Sequence, residues 1–508
     1  MKMKILFVYP NSEGYGRIPL GPSVILTILK NEGHDIKVFD PTFLKTTKNL
    51  DSERREKAGV VIPTDTSYLY DQRSDDQIDD LLRNILKKFE PQLIISSIVE
   101  DNYEYADHLF SIAKSVSNVP LLVGGTTPSL VPEIIIENPN IDYIIQGEGE
   151  EAIKEFCELM SRRSPFINVR NLWYKDNGQV KHNPIRPFVD MDTLPVQDLS
   201  LWNKSHFIKP YNGKVYKAGY YEISRGCPNN CSYCFNALFR KAYSQYPKYF
   251  REKSIKNVIK EIRTNKVKYG LEMIFFGDDN FLLMNIERFK DFCNQWNSEI
   301  RLPYWINTEP YSITKEKLRL LKDTNCAGIG LGIESGSEWM RDNILLRPRI
   351  SNQRLVDIFS LIHEFDIRTG TNNIIGFPGE TEEDFFETVK LNIRIKPRSY
   401  AITFLAPYAG TSIHYISRKY NYIDTYDKPG FIGMAKGISM RAHSGIRSEL
   451  MTSERINELH YTFMDYVNGK IPIPDKYKNP VFVRPEISFK IAQSIKEYQK
   501  SLMIAKTE

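Results

Sequence analysis

Two periodicities alternate along most of this chain, and no other feature limits its fold as strongly. Short unbroken apolar runs occur at KILFVY (4–9), DIKVFD (35–40), QLIISSI (92–98), PLLVGG (120–125) and DYIIQGEGE (142–150). Between them lie stretches of helical spacing, such as GPSVILTILKNEGH (21–34). A strand that is apolar at every position is covered on both faces, and parallel strands need a crossover helix to return the chain. The expected unit is a five-stranded doubly wound, flavodoxin-like α/β domain, with further helices over about 103–116 and 129–137. Residues 41–78 are polar and rich in Asp, Thr and Lys, and read as an insertion with a mobile loop.

The alternation then lapses and resumes. Residues from about 163 hold Pro, Asn and Lys with short strands such as VRNLWYK (169–175), and DMDTLPVQDLSLW (190–202) reads as an extended strap. From Tyr220 the pattern predicts strands at 220–224, 272–277, 303–307, 327–333, 367–375 and 400–405. Helices are expected between them, around 232–241, 254–268, 285–296, 314–323, 351–364 and 381–394. Six such units make a partial barrel, a (β/α)6 relative of the eight-unit fold, with functional loops at the C-terminal ends of its strands. A chain of 508 residues exceeds one hydrophobic core. The expected division is 1–162 doubly wound domain, 163–215 connector, 216–405 partial barrel and 406–508 a small mixed C-terminal region.

Composition excludes several classes of function. The net charge of +5 comes from 68 basic and 63 acidic residues scattered among one another, so no nucleic-acid footprint is expected. No run approaches the roughly 18–20 apolar residues that cross a bilayer. The opening MKMKILFVYP loses its apolar character at Pro10–Glu13 without a small-residue cleavage site, so it reads as a buried strand and not a leader. Cys157, Cys293 and Cys326 are isolated and read as buried small side chains, with no disulfide framework and a cytoplasmic setting.

Chemistry concentrates in the other three cysteines. Cys227-x-x-x-Cys231-x-x-Cys234 follows a strand, and Gly226 and Pro228 force a tight turn that can aim three sulfurs at one centre. Structural zinc takes four ligands, and the fourth would have to come from Cys293 or His206 elsewhere in the chain. An iron–sulfur cluster with one iron open to an exchangeable ligand explains three thiolates better. In the first domain, ligands belong beyond the strand ends, at YPNSEGYGR (9–17), SSIVEDN (96–102), GGTTPS (124–129) and GEGE (147–150). No G-x-G-x-x-G follows the first strand, which disfavours a nicotinamide cofactor.

With these motifs in hand, the chain resembles the radical S-adenosylmethionine (SAM) superfamily, whose C-x-x-x-C-x-aromatic-C signature is matched in full with Tyr233 as the aromatic. The resemblance implies a 4Fe-4S cluster on Cys227, Cys231 and Cys234, its open iron chelated by SAM. FFGDDNF (275–281) resembles the family's Gly-Gly-Glu-like loop, with acids in place of the second Gly and the Glu, and implies that Gly277, Asp278 and Asp279 approach SAM. GIGLGIESGSE (328–338) implies contacts from Glu334 and Ser335, and NIIGFPGETEED (373–384) from Gly376, Phe377 and Pro378. From the residues alone, Thr381 with Asp384 also reads as a helix capping box.

PLLVGGTTPSLVPEII and IDYIIQGEGEEAIKEF closely resemble the cobalamin-binding domain fused to one large class of these enzymes. That likeness implies cobalamin contacts from Tyr9, Ser96, Ser97, Gly124, Gly125, Thr126, Thr127, Gly147, Glu148 and Gly149. Asp-x-His-x-x-Gly is absent, Asp107-His108 lies on an expected helix and His34 in a turn, so no histidine lower ligand to cobalt is expected. The implied activity is methylation of an unactivated carbon or phosphorus centre, with cyclisation or rearrangement as an alternative within the class. A tRNA methylthiotransferase is a second alternative, but it needs a further three-cysteine site in the first domain, where only Cys157 stands. The implied partners are a small-molecule or peptide substrate and an electron donor such as flavodoxin or ferredoxin. Tyr408, His414 and Tyr415 of the C-terminal region are candidates to touch substrate.

Overall fold

The computed structural model describes residues 2–11, 16–44, 56, 62–166, 168–424, 443–479 and 482–504. The chain forms two compact units and passes from the first to the second at Tyr220–Tyr221.

In the first unit β1 (Lys4–Val8), β2 (Asp35–Phe39), β3 (Leu93–Ser97), β4 (Leu121–Gly124) and β5 (Tyr143–Ile145) are parallel, in the order β2-β1-β3-β4-β5. This is the flavodoxin-like order, and its switch point lies between β1 and β3. Ile5, Leu6, Phe7 and Val8 are at most 1% exposed, as an all-apolar central strand requires. The helix expected over 103–116 is Tyr103–Val116. The one expected over 129–137 is instead two short helices, Thr126–Leu130 and Pro132–Ile135, the second opened by a proline at its first position.

The segment read as a connector is part of this unit. β6 (Leu172–Asp176) pairs antiparallel with β5 and β7 (Gln179–His182) with β6, so the sheet has seven strands. The strap at 190–202 packs on the domain: Trp202 is 4% exposed, its Nε1 donates to Ser23 Oγ at 2.9 Å, and its ring meets Tyr9 edge-on at 5.3 Å. His206 binds Asp40 at 2.5 Å with no exposed surface. Of the insertion read over 41–78, residues 45–55 and 57–61 lie outside the described residues, whereas Ser67–Leu69 form a short 3-10 turn and a helix already begins at Asp75. β8 (Ile208–Tyr211) and β9 (Lys214–Tyr221) form a hairpin, so the strand expected at 220–224 starts earlier and ends at Tyr221.

In the second unit a short antiparallel pair, β10 (Ser224–Arg225) and β11 (Arg251–Glu252), precedes β12 (Met273–Phe276), β13 (Tyr304–Thr308), β14 (Cys326–Glu334), β15 (Thr369–Ile375) and β16 (Ser399–Phe404). The last five are parallel and neighbours in sequence order, a curled half-barrel. Gly277 N donates to Tyr221 O at 2.8 Å, which adds the end of β9 as a further strand. Helices Ile255–Tyr269, Ile286–Gln295, Lys315–Asp323, Asn352–Glu364 and Glu382–Ile395 are each capped by a Ser, Thr or Asn side chain that accepts an N–H of the first turn. Thr381 and Asp384 form the expected capping box. The indole of Trp305 lies across β14 and β15: a Cβ on Gly328 would stand 2.5 Å from its Cζ3, and one on Gly370 3.2 Å from its Cη2.

Residues beyond 405 share this core. Ile413, Ile416, Ile491 and Ile495 pack with Leu345, Phe377 and Leu405, and Phe463 and Leu459 pack with Phe385 and Phe404. Among the described residues no helix is long and apolar enough to cross a membrane.

Candidate active site

The cysteine loop begins at a forced turn. Gly226 has φ +91°, and a Cβ there would meet Tyr249 O at 2.6 Å, so only glycine fits. Cys227 and Cys231 are buried and Cys234 is half-buried. Ser232 ties the loop to the segment after β14, its N–H donating to Leu345 O at 2.9 Å and its hydroxyl to Ile344 O at 2.6 Å. Burial pushes the thiol of Cys227 up to about 11 and that of Cys231 to about 12, and the mutual charge of the three sulfurs adds to it. Burial likewise raises Cys234.

Three such sulfurs become stable thiolates only against a strongly cationic partner. Among the described residues no three His, Cys, Asp or Glu side chains stand at single-ion spacing. Three thiolates leave a four-coordinate zinc one ligand short, whereas a cluster with one iron open to an exchangeable ligand needs only three. Cys293 (2% exposed) and Cys326 lie at the other end of the barrel strands, in a helix and at the start of β14, with thiols raised to about 12 by burial. Cys157 has no exposed surface, so the first unit offers no second cysteine site among the described residues.

The half-barrel brings the expected SAM residues to the same end as the loop, and separates their roles. Asp278 is spent on backbone. Its Oδ1 accepts from Ser224 N at 2.7 Å, Ser224 Oγ at 2.5 Å and Ile223 N at 3.1 Å, and the residue is 3% exposed. It is buried and holds the chain that enters the cysteine loop, which corrects the expectation of a ligand contact for this residue. Burial raises its carboxyl to about 7. Asp279, next in sequence, turns the other way: it accepts from Asn236 and from Gly226 N, and its charge is felt by Cys227 and Cys234. Gly277 is exposed at the same edge.

Glu334 sits at φ +64° after a register shift against β15, a non-glycine in the left-handed region. It faces Arg347 at 3.5 Å; Arg347 in turn binds Glu309 at 2.5 Å, Gly332 O at 2.8 Å and Tyr233 Oη at 2.7 Å. Burial pushes the Glu334 carboxyl up to about 7 against the pull of Arg347. Arg347 also lies near Cys231, whose thiol it lowers. Two acids and one cation thus form a buried, mutually paired cluster beside Cys231. Ser335, by contrast, is fully buried, with its hydroxyl accepting from Ser337 N and its carbonyl from Arg341, so it is structural.

Phe377 is 2% exposed and meets the Tyr233 ring edge-on at 5.7 Å. The N–H groups of Gly376 and Phe377, expected to serve a ligand, donate instead to Glu380 Oε2 at 2.6 and 3.0 Å. Pro378 has no N–H to give. Tyr415 stacks on Tyr498 at 4.0 Å and His414 is buried within its helix, so neither stands out as a substrate contact.

Arg347, Glu309, Asn236 and Tyr249 were not foreseen. Glu309 follows the C-terminal end of β13, a position that the barrel architecture marks as functional. Arg347 belongs to an irregular segment and carries no periodic signal.

At the switch end of the first unit, Gly125 has φ +102°, and a Cβ would meet Ile98 O at 2.5 Å and Ile98 N at 2.9 Å. Gly124, Ser97, Thr126, Gly147 and Gly149 line partly open surface there, as does Tyr9. Ser96 donates its hydroxyl to Val8 O at 2.8 Å and Thr127 is 3% exposed, so both face inward, contrary to expectation. Glu148 accepts from Val189 N at 2.9 Å, which fixes the strap against the GEGE turn. The glycine-lined end fits a bulky ligand brought close to backbone. His108 lies on a helix and binds Asp79 at 3.0 Å, away from this end.

Known proteins fall into the same pattern. Residues 14–157 match the model of the B12 binding domain and residues 221–391 that of the radical SAM superfamily. An uncharacterized methyltransferase of Pyrococcus horikoshii is 28% identical over 426 residues, 81% of this chain and 82% of that protein. A cytidylyl-2-hydroxyethylphosphonate methyltransferase of Streptomyces wedmorensis is 21% identical, over 71% of this chain and 69% of that one. The fold is that of the radical S-adenosylmethionine methyltransferase TsrM from Kitasatospora setae, solved with cobalamin and a 4Fe-4S cluster, at TM-score 0.66 and 15% identity over the whole of both chains. The chain belongs to the radical SAM enzymes in which a B12-binding domain precedes the radical SAM domain.

Proposed function

We propose that this chain is a cobalamin-dependent radical SAM methyltransferase acting on an unactivated carbon or phosphorus centre of a small-molecule or peptide substrate. The observation that carries the reading is the three-cysteine loop set beside the Glu334–Arg347–Glu309 cluster, in a chain that also holds a B12-binding domain. When bound, a 4Fe-4S cluster with SAM supplies radical hydrogen abstraction, and methylcobalamin supplies a methyl group.

The protein's residues do the holding. Cys227, Cys231 and Cys234 present the thiolates, and Gly226 gives the loop its turn. Arg347 and the acids Glu334 and Glu309 suit the carboxylate and amino groups of SAM, with Asp279 and Gly277 at the same edge. Tyr233 and Phe377 give the site an apolar wall. Gly124, Gly125, Thr126, Gly147 and Gly149, with Ser97 and Tyr9, hold cobalamin without a histidine ligand. A flavodoxin or ferredoxin in the cytoplasm supplies the electron.

Anaerobic reconstitution with iron and sulfide tests the reading. One cluster of about four irons per chain, 5′-deoxyadenosine on reduction with SAM, and bound hydroxocobalamin by visible absorbance are expected. Cys231→Ala removes 5′-deoxyadenosine formation. Retained formation in that variant, or clearly more than about four irons, refutes the assigned cluster.

A further inference from the structure

We infer that the C-terminal helix Glu486–Ile504 is a clasp on the cluster loop, with Gln499 as its positioning residue. The Gln499 amide donates to Asn230 O at 3.4 Å, inside the Cys227–Cys231 turn, while its oxygen accepts from the hydroxyl of Ser412. Gln499 is 6% exposed and Ser412 2%, so water does not compete for these bonds. Beside them, Ile413 N donates to Ser232 O at 3.2 Å. The C-terminal segment thus reaches the cysteine loop at Asn230 and at Ser232. Tyr233 packs against the apolar cluster that includes Ile491 and Ile495 of the same helix.

The physical logic is local. A loop of eight residues carrying two buried thiols and a half-buried third has few hydrogen bonds of its own, the one between Cys234 N and Cys231 O (3.2 Å) being an example. Its shape therefore depends on partners outside it: Ile344 and Leu345 hold Ser232, Arg240 holds Pro228 O, Tyr311 reaches Asn229, and the C-terminal clasp takes the carbonyls of Asn230 and Ser232. Gln499 suits the role because one amide group can accept from Ser412 and donate to a carbonyl at once. Methionine has nearly the same length without either bond, and glutamate keeps the acceptor but cannot donate when ionised. The clasp predicts that both substitutions loosen the loop while leaving the helix docked through its apolar face.

The inference rests on the reading of residues 227–234 as the cluster loop, and the test separates the two. The reduced, iron-free full-length chain is treated with iodoacetamide, and alkylation is timed at each cysteine by mass spectrometry. Gln499→Met and Gln499→Glu are expected to raise the rates at Cys227, Cys231 and Cys234 about fivefold, the factor one buried hydrogen bond is worth, with Cys157 and Cys293 unchanged. In the reconstituted protein the same variants shift the electron paramagnetic resonance g-values of the reduced cluster. Support requires both results. Loop rates within twofold of the parent, an equal rise at all buried cysteines, or unchanged g-values overturns the clasp. If the Gln499 variants do not fold, Ser412→Ala is judged by the same criteria. A parent chain that takes up no iron removes the cluster reading, and alkylation alone then decides the clasp.

Discussion

Replacing Asp278 by alanine separates two adjacent acids that look alike in the sequence. The substitution leaves the N–H groups of Ile223 and Ser224 without their acceptor in a buried setting, while the Ser224 hydroxyl can rotate to another partner. Each orphaned donor costs roughly 1–3 kcal/mol, so the loss is about 3 kcal/mol. For a unit of this size that lowers Tm by roughly 6–12 °C. Asp279→Ala, at an exposed position, costs about 1 kcal/mol, because water replaces it as acceptor. The assay is thermal unfolding of the iron-free chain, paired with SAM binding to the reconstituted one. Asp278→Ala is expected to lower Tm by roughly 6–12 °C, whereas Asp279→Ala lowers it by only about 2–4 °C and loses SAM affinity. There is also a pH dependence with a defined sign. The Asp278 carboxyl is raised by burial from 3.8 to about 7. Its stabilisation is complete below the unfolded value and fades as pH rises through 7, so the gap between parent and Asp278→Ala is wider at pH 6 than at pH 8.5. A Tm within 2 °C of the parent, or a gap that widens with pH, refutes the assignment.

Three further substitutions probe other parts of the chain. Gly125→Ala sets a Cβ against the Ile98 backbone at positive φ, costing about 3 kcal/mol, and is expected to weaken hydroxocobalamin binding at least tenfold by absorbance titration. Arg347→Met leaves Glu309 and Glu334 buried without their cation, a loss of about 3–5 kcal/mol in unfolding experiments. Because Glu334 titrates near 7, its carboxyl is neutral at pH 5.5, and the deficit should be smaller there than at pH 8. Gly328→Ala collides with Trp305 and should cost about 1–3 kcal/mol, part of which Trp305→Leu recovers; strict additivity of the two changes would show that the indole is not seated on that glycine.

Much of the site was legible before any coordinates. The Cys227–Cys231–Cys234 spacing, the apolar runs and the Thr381–Asp384 cap all express contacts between near neighbours, where residue type and spacing dictate geometry. The glycines at 125 and 226 were visible as residues, but their necessity arises from Ile98 and Tyr249, which the fold brings up against them.

Long-range satisfaction of polar groups was not legible. A DD pair after a strand does not say which carboxylate meets the backbone of residues 223–224 and which turns toward the cysteines. The Gly376–Phe377 N–H groups looked free for a ligand until Glu380 folded back to take them. Arg347 lies in an aperiodic stretch, and only the tertiary structure places it between Glu309, Glu334 and Tyr233. The same holds for residues 406–508. Their composition marked a mixed tail, but a buried glutamine serving a carbonyl some 269 positions away is a property of packing. The sequence by itself thus determined the two α/β units and the thiolate donor set, because periodicity and spacing act over a few residues. The tertiary structure decided which polar groups remain for ligands, because every buried donor and acceptor must first be paired within the protein.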